Sequence, residues 1–139
     1  MDPLSLASNT AFSGLFAQSL RLKVVAQNIA NAESTGTAPG ADAYRRRTVT
    51  FSNAMSDAEV GGAQVNADVG YDMSEFGKEF IPSHKAADKN GYVKTPNVNM
   101  IVEMTDMRQA LRSYEANLQV IRQSRDMANS LVDLLKSNG

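Results

Sequence analysis

The last third of the chain carries a long and regular apolar pattern. From residue 100 to residue 135, alternating steps of four and three residues meet an apolar side chain at ten of eleven positions. This is the heptad spacing of a helix that packs along one seam against another helix. The seam positions are Met100, Met104, Met107, Leu111, Tyr114, Leu118, Ile121, Arg125, Ala128, Val132 and Leu135. The pattern predicts one helix that begins near Met100 and continues to about residue 136.

A helix of this length is too long to be hidden by its own chain. At about 1.5 Å per residue it extends about 55 Å. A compact chain of 139 residues has a diameter of only about 37 Å. Exposed apolar surface on this scale marks an interface, so we expect an assembly subunit that needs partners from outside the chain.

The N-terminal segment carries a shorter pattern of the same kind. Asp2 and Pro3 are typical of an N-cap and a first helical turn, and six of the eight heptad positions between 4 and 29 are apolar. These positions hold Leu4, Ser8, Ala11, Leu15, Gln18, Leu22, Val25 and Ile29, and a neighbouring stripe holds Phe12, Phe16, Leu20 and Val24. We expect this helix, about 45 Å long, to pair with the C-terminal helix while the neighbouring stripes face outward.

The middle of the chain reads as a small β-rich module. Residues 33–42 are rich in turn formers, residues 44–51 read as a strand, and Asn90-Gly91 is a turn signal typical of hairpins. The predicted fold class is therefore mainly α with a small β-rich insertion. Its predicted domains are a discontinuous helical coiled-coil core of residues 1–35 and 98–139, and an outer domain of loops and short strands over residues 36–97.

The composition argues against several classes of function. The net charge is −1, cysteine is absent and His84 is the one histidine, so we expect no enzyme, no cofactor and no metal site. Residues 86–97 lack the acidic ligands at both ends of a calcium-binding loop. The run 45–47 of three arginines is too short to indicate nucleic-acid binding, and it is expected to contact acidic side chains of a neighbouring subunit or to stay solvated. No apolar stretch is long enough to insert into a membrane, and the N-terminus lacks the basic start of a cleaved signal peptide.

Two stretches resemble a known family. AQNIANAESTG (26–36), which follows a heptad helix, is similar to the N-terminal signature of the flagellar axial proteins of the rod and hook. KNGYVKTPNVNMIVEMTDMRQALRSYEANLQVI (89–121) is similar to the C-terminal signature of the proximal-rod proteins of the flagellar basal body. The chain departs from the family pattern at Lys85 and Met100, where prolines are usual. The start of the C-terminal helix is therefore expected within a few residues of Met100.

The resemblance implies a structural subunit of the proximal rod, the periplasm-spanning drive shaft that transmits motor torque and encloses the export channel. It implies that the paired terminal helices form an inner tube and that the middle segment lies outside it. The implied partners are other copies of the chain, other rod proteins, and the rod-base adaptor and export gate at the membrane ring. Delivery by the flagellar type III export apparatus, without a cleaved signal peptide, is also implied. Neither nucleic acid nor direct membrane insertion is expected.

The predicted assembly interface combines seam residues of both helices with two asparagines. Asparagine is a weak helix former, and a desolvated amide fixes the register between helices only when it is paired. The Asn28 and Asn31 amides are each expected to bond across to a neighbouring helix, to cap a neighbour's chain end, or to end their own helix. For Asn28 the interface is favoured, and for Asn31 both interpretations stay open. The full predicted set is Leu15, Leu22, Val25, Asn28, Ile29, Asn31, Met104, Met107, Leu111, Tyr114, Leu118, Ile121, Arg125, Val132 and Leu135.

A different structural class remains open on the sequence alone: a helical adaptor that closes into a homodimer through the same heptads. Arg125 is the residue that separates the two. In a closed dimer it would meet its symmetric partner or need a nearby acid. In an open helical stack it is expected to reach an acid of another subunit, and the candidates are Glu103, Glu115 and Asp133.

Overall fold

A computed structural model of the chain describes residues 3–55 and 63–137. Two long helices lie at the two ends of the sequence, and four short strands lie between them in chain order. In chain order the elements are α1 (Pro3–Ala30), β1 (Arg47–Met55), β2 (Ala63–Tyr71), β3 (Gly77–Phe80), β4 (Tyr92–Thr95) and α2 (Met100–Ser137). The strands form two separate two-stranded sheets, β1 with β2 and β3 with β4. The predicted class, mainly α with a small β-rich insertion, is confirmed.

The start of α2 at Met100 agrees with the pattern, although no proline marks it. The Asn99 side-chain oxygen accepts hydrogen bonds from the backbone N–H groups of Ile101, at 3.0 Å, and Val102, at 3.3 Å. Asparagine in this position satisfies N–H groups that have no partner inside the first turn. Asn99 therefore fixes the helix start that proline marks in the family pattern. The predicted cap at Asp2 lies outside the described residues. The helix α2 continues to Ser137, in agreement with the predicted end near residue 136.

The first strand begins later than the predicted range 44–51. The N–H of Tyr44 donates to the carbonyl of Ser34, and the N–H of Arg46 donates to the side-chain oxygen of Asn97. Because these backbone groups are bonded to partners in other segments, the ladder of β1 starts only at Arg47. The sequence pattern identified the strand but not this competition at its start.

The predicted turn at Asn90-Gly91 is confirmed. Gly91 has a φ of 85°, which favours glycine. The Asp88 carboxylate accepts hydrogen bonds from the N–H groups of Asn90, at 2.8 Å, and Tyr92, at 3.0 Å. These backbone hydrogen bonds hold the pKa of Asp88 below its ordinary value. The turn leads directly into β4, but residues 81–91 separate the two strands, so it does not form a two-residue hairpin.

Contacts divide the described chain into two compact units. Unit 1 contains residues 3–20, 51–55, 63–68 and 109–137, and unit 2 contains residues 21–50 and 69–108. Each unit includes a part of α1, a part of α2 and strand residues. The division into a helical core domain and an outer domain stays a prediction. None of the helices in the described chain is apolar over a length that would cross a bilayer.

The face of α2 that is buried inside the chain is shifted by one residue from the predicted seam. One row of α2 residues, spaced seven apart, is buried or half-buried. Its members are Glu103, Ala110, Asn117 and Ser124. The predicted row one residue further on behaves differently, since Met104 is 49% and Leu111 is 44% exposed. The row that contains Ile121, which is buried, belongs to both patterns. The sequence therefore predicted one of the two inward rows correctly and misplaced the other.

Close approach of the helices explains the shift in unit 1. A Cβ added to Gly14 would lie 2.9 Å from the side-chain nitrogen of Asn117, so this position has room only for glycine unless Asn117 moves. Ala11, Ala17 and Ala110 are also buried. Small side chains allow the two backbones to come close, and the larger apolar residues of α2 are left on the flank.

Candidate assembly site

Asn28 lies at the centre of a buried hydrogen-bonded group in unit 2, here called the polar cluster, made of Asn28, Tyr44, Arg46, Arg47 and Glu103. The Asn28 residue is only 1% exposed. Its amide nitrogen donates to the carbonyl of Arg47, at 2.8 Å, and to a carboxylate oxygen of Glu103, at 3.0 Å. Its amide oxygen accepts from the Tyr44 hydroxyl and from the N–H of Arg47, both at 2.9 Å. Both donor and both acceptor positions of the amide are therefore used.

Glu103 brings a negative charge into the same cluster. It is 0% exposed, and the Arg46 side-chain Nε donates to the carboxylate oxygen that Asn28 does not use. Burial opposes the charge of Arg46, but the hydrogen bond and charge of Glu103 raise the pKa of Arg46 above its ordinary value. A buried carboxylate is costly without such partners, so the position of α2 at Glu103 is coupled to the position of Arg46.

Tyr44 and Asp72 complete the surroundings of the cluster. Burial raises the pKa of the Tyr44 hydroxyl, and this hydroxyl donates to the amide oxygen of Asn28. The Asp72 carboxylate oxygen Oδ2 lies 3.5 Å from the Nη1 nitrogen of the Arg46 guanidinium. Hydrogen bonds from Ser74 lower the pKa of Asp72, and the charge of Arg46 lowers it further. The guanidinium of Arg46 is thus held between two carboxylates.

The polar cluster bears on three predictions. Asn28 bonds across to a neighbouring helix, as one interpretation expected, but this helix is α2 of its own chain. Glu103 is not available to Arg125 of another subunit, because it is buried and paired with Arg46. The acids that Arg46 meets, Glu103 and Asp72, likewise belong to its own chain. In each case a residue far away in sequence supplies the partner, and the local pattern around each residue carries no sign of it.

Asn31 ends its own helix, which was one of the two interpretations left open. Its amide nitrogen donates to the carbonyl of Gln27 at 2.9 Å, and its amide oxygen accepts from the Ser34 hydroxyl at 3.1 Å. The last helical residue is Ala30. Asn31 therefore satisfies one of the carbonyl groups that a helix end leaves without a partner.

Asn97 is a structurally important amide that the sequence analysis missed. Its side-chain oxygen accepts from the N–H of Arg46 at 2.7 Å, and its nitrogen donates to the carbonyl of Asp72 at 3.0 Å and to the Ser74 hydroxyl at 3.0 Å. Asn97 thus connects the segment before β1 with the segment after β2. Its place in a loop between two predicted elements, next to Pro96, was the one signal that the sequence offered.

The other predicted interface residues divide by exposure. Val25 and Ile121 are buried inside the chain at 2% and 3% exposure. The half-buried members are Leu15, Leu22, Ile29, Met107, Tyr114 and Leu118, and the exposed members are Met104, Leu111, Arg125, Val132 and Leu135. Exposed and half-buried members can reach a partner, whereas the two buried ones serve the chain's own core.

The C-terminal part of α2 exposes a row of large apolar side chains. Every residue from 125 to 137 is exposed. The large apolar side chains in this stretch are 47–76% exposed, and they are Met127, Leu131, Val132, Leu134 and Leu135. On α1, Phe12 and Phe16 are 48% and 73% exposed. Surface of this kind marks a site of association, and it includes residues that the predicted interface did not contain.

Comparison with known proteins identifies the class of assembly. The family described as "Flagella basal body rod protein" matches residues 9–36, and the family described as "Flagellar basal body rod FlgEFG protein C-terminal" matches residues 89–134. The chain is 56% identical over 139 residues to flagellar basal-body rod protein FlgC of Agrobacterium fabrum, with 99% of each chain covered. The chain belongs to the FlgC family of flagellar basal-body rod proteins.

More distant FlgC proteins match over most of their length as well. Identity is 42% over 118 residues to FlgC of Escherichia coli O157:H7, covering 84% of this chain and 87% of the relative. It is 36% over 145 residues to FlgC of Borreliella burgdorferi, covering 92% and 95%. The resemblance inferred from the sequence is confirmed, and the chain is a structural component of the flagellar basal-body rod. The two matched family segments contain Asn28 and Glu103, so the polar cluster links the two matched segments.

Proposed function

We propose that this FlgC-family chain is a subunit of the proximal rod, the periplasmic drive shaft that transmits motor torque and encloses the export channel. Family membership supports the rod, and the exposed apolar surface of α2 supports assembly through the terminal helices. That surface is the observation that carries the proposal, because the chain itself leaves it uncovered. Residues 1–35 and 98–139 would form the inner wall, with residues 36–97 outside it.

Torque transmission requires a subunit whose parts keep their positions under load. In unit 2 the polar cluster fixes α1, the segment before β1 and α2 to each other through directed bonds. Buried, fully satisfied hydrogen-bond networks favour one arrangement over close alternatives. This property suits a shaft component more than a flexible adaptor.

The proposed partners are other copies of the chain, other rod proteins, and the rod-base adaptor and export gate at the membrane ring. Delivery is proposed to occur through the flagellar type III export apparatus, without a cleaved signal peptide. An open assembly of this kind uses heterologous contacts, in which one face meets a different face of the next subunit. A closed homodimer would instead bury the same face twice.

The exposed row of α2 that contains Met104 and Leu111 gives a direct test of assembly through the helices. The test uses a motile strain in which this chain is the sole copy. Leu111→Asp places a charge on the exposed apolar flank, where Leu111 is 44% exposed. Swimming and complete basal-body rods in electron micrographs are expected to be lost. Because the position is exposed, the purified variant should keep the far-UV circular dichroism and melting temperature of the unmodified chain.

Gln119→Asp is the matched control, since Gln119 is also exposed on α2 but lies on the polar side. It introduces the same residue with the same helix-propensity cost of about 0.5 kcal/mol, and normal swimming is expected. Normal swimming of the Leu111→Asp strain would contradict assembly through this row. A purified chain of fixed dimeric size that loses dimerisation with Leu111→Asp would favour the closed homodimer.

A further inference from the structure

The turn that leads into β4 contains an asparagine followed directly by a glycine, Asn90-Gly91. The N–H of Gly91 donates to the backbone carbonyl of Asp88 at 3.0 Å, which closes a β-turn over residues 88–91. The Asp88 carboxylate accepts from the N–H groups of Asn90, at 2.8 Å, and Tyr92, at 3.0 Å. Asp88 therefore holds the backbone of the turn at three N–H groups.

Position 91 of this turn requires glycine. Its φ of 85° is a conformation that residues with a Cβ rarely adopt. A Cβ added there would lie 2.8 Å from the Phe80 ring and 3.1 Å from the Pro82 ring. Because Gly91 cannot be exchanged without strain, the residue that follows Asn90 has no side chain.

An asparagine followed by glycine can react within the chain. The backbone nitrogen of Gly91 can attack the side-chain carbonyl carbon Cγ of Asn90, because no Cβ on residue 91 obstructs its approach. The new C–N bond closes a succinimide ring, and the amide C–N bond of Asn90 breaks. The amide nitrogen leaves as ammonia, which includes the proton that the Gly91 nitrogen gives up. Water then adds to either ring carbonyl and opens the ring to aspartate or isoaspartate, so no oxidant or reductant is needed.

The structure acts on this reaction in two opposite ways. Asn90 is exposed, and no hydrogen bond within the described chain holds its side-chain amide. The Gly91 nitrogen, however, must leave its hydrogen bond to the Asp88 carbonyl before it can attack. The backbone must also rotate at Asn90, whose N–H is held by the Asp88 carboxylate. The folded turn therefore slows the reaction without removing either reacting group.

We propose that Asn90 is a site of spontaneous deamidation, and that the hydrogen bonds made by Asp88 set its rate in the folded chain. The reaction belongs to the single chain and does not depend on the proposed assembly. It is slow in the folded chain and faster in any state in which the turn is open. Its products place a negative charge at position 90 beside Asp88. Isoaspartate also lengthens the backbone by one carbon atom, which separates the Tyr92 N–H from Asp88 at the start of β4.

Mass spectrometry of the purified full-length chain measures the reaction. The chain is incubated at pH 8.5, either folded or in concentrated urea, and peptides with residue 90 are followed for the mass change from amide to acid. Asn90 in the folded chain should react at least about fivefold more slowly than in urea, the factor that one net hydrogen bond provides. Asn66 is the internal control, because it is exposed and is followed by Ala67, whose Cβ obstructs the attack. It should react more slowly than Asn90 in urea.

Substitutions of Asp88 test its role in the folded chain. Asp88→Ala removes the carboxylate that holds the N–H groups of Asn90 and Tyr92, and Asn90 should then react about three- to tenfold faster. Asp88→Asn is the matched control, because its side-chain oxygen can accept the same hydrogen bonds without the charge, and the rate should stay within about twofold of the unmodified chain. In urea all three chains should react at the same rate, since the turn is absent there.

Three results would overturn the inference. Asn90 could react no faster than Asn66 in urea, Asn90 could react equally fast in the folded and the unfolded chain, or Asp88→Asn could react as fast as Asp88→Ala. The last result would make the charge of Asp88, and not its hydrogen bonds, responsible for the rate. Far-UV circular dichroism shows whether Asp88→Ala keeps its fold. If it does not, the comparison of Asp88→Asn and the unmodified chain, each folded and in urea, decides.

Discussion

The two units hold the same two helices together in different ways. In unit 2, α1 and α2 are joined by the polar cluster, in which Asn28 and Glu103 are buried and each bond has a specific direction. In unit 1, contact depends on small side chains at Ala11, Gly14 and Ala110. A directed network loses most when one partner is removed, whereas a close contact of small residues loses most when one side chain grows. The difference teaches which kind of substitution each part of the helix pair can tolerate.

The largest effect is expected from Glu103→Ala in unit 2. The substitution leaves the Arg46 guanidinium and the Asn28 amide without their buried acceptor. We expect the free energy of unfolding to fall by about 3 kcal/mol, measured by urea denaturation followed by circular dichroism. Glu115→Ala, at an exposed position of α2, should change it by less than about 0.5 kcal/mol. Equal effects of the two substitutions would contradict a stabilising role of the polar cluster.

Asn28→Asp is expected to have the next largest effect, and one that depends on pH. It places a carboxylate oxygen where the amide nitrogen donates to Glu103 at 3.0 Å, so at pH 7.5 the unfolding free energy should fall by about 2 kcal/mol. Repulsion raises the pKa of this pair in the folded state, so the penalty is largest above that raised pKa. It should shrink as the pH is lowered towards 5, where the pair takes up a proton.

The measurement compares Asn28→Asp with the unmodified chain at pH 7.5 and at pH 5. Asn66→Asp, at an exposed position of β2, serves as the control and should show a small difference that does not change with pH. If Asn28→Asp is as stable as the unmodified chain at pH 7.5, the hydrogen bond between Asn28 and Glu103 does not contribute as described.

Unit 1 should respond to size. Gly14→Val adds side-chain atoms where even a Cβ would lie 2.9 Å from the Asn117 nitrogen, and overpacking of this kind costs about 1–3 kcal/mol. Gly14→Ala adds the Cβ alone, and its gain in helix propensity of about 0.5–1 kcal/mol should offset a small movement of Asn117. Thermal unfolding of both variants checks this. A Gly14→Val variant as stable as Gly14→Ala would show that the helices are not in close contact here.

The smallest effect is expected from acid, and it should be confined to unit 2. Lys94 lowers the pKa of Asp42, and backbone hydrogen bonds lower those of Asp72 and Asp88. A lowered pKa stabilises the folded state above the ordinary value, and this contribution is lost as the pH falls below about 4 through the lowered values. Hydrogen exchange measured by mass spectrometry at pH 5 and pH 3.5 should show earlier loss of protection in peptides of residues 69–99 than of residues 109–124. The reverse order would contradict the comparison of the units.

The sequence was sufficient for the fold class, for the start of α2 and for the turn at Gly91. These features depend on local signals: a long heptad pattern, the cap at Asn99, and a glycine that accepts a positive φ. The seam of α2 was partly wrong because an apolar pattern records every face that becomes covered, in the chain or in an assembly. It does not tell which face the chain itself covers, and here the chain covers a row that includes Glu103 and Asn117.

The polar cluster could not be predicted for a related reason. Asn28, Arg46 and Glu103 each read as a surface or interface residue when its own segment is considered alone. Their burial depends on bonds across 57 and 75 residues of sequence, and a local pattern does not contain such pairings. The single hint was that Glu103 lies seven residues before Ala110 on a helix that must pack.

The long sequence separation within the polar cluster also has a consequence for the order in which the chain can fold. Loops of this length must close before the bonds to Glu103 provide any stabilisation, and contacts between distant residues slow folding. A chain that appears from its N-terminus has Asn28 and Arg46 in place long before Glu103 exists. Until Glu103 appears, the amide of Asn28 lacks one acceptor and Arg46 lacks its buried partner. The nascent chain therefore remains incompletely folded until about three quarters of it has been made. This delay would keep the chain able to pass through an export channel.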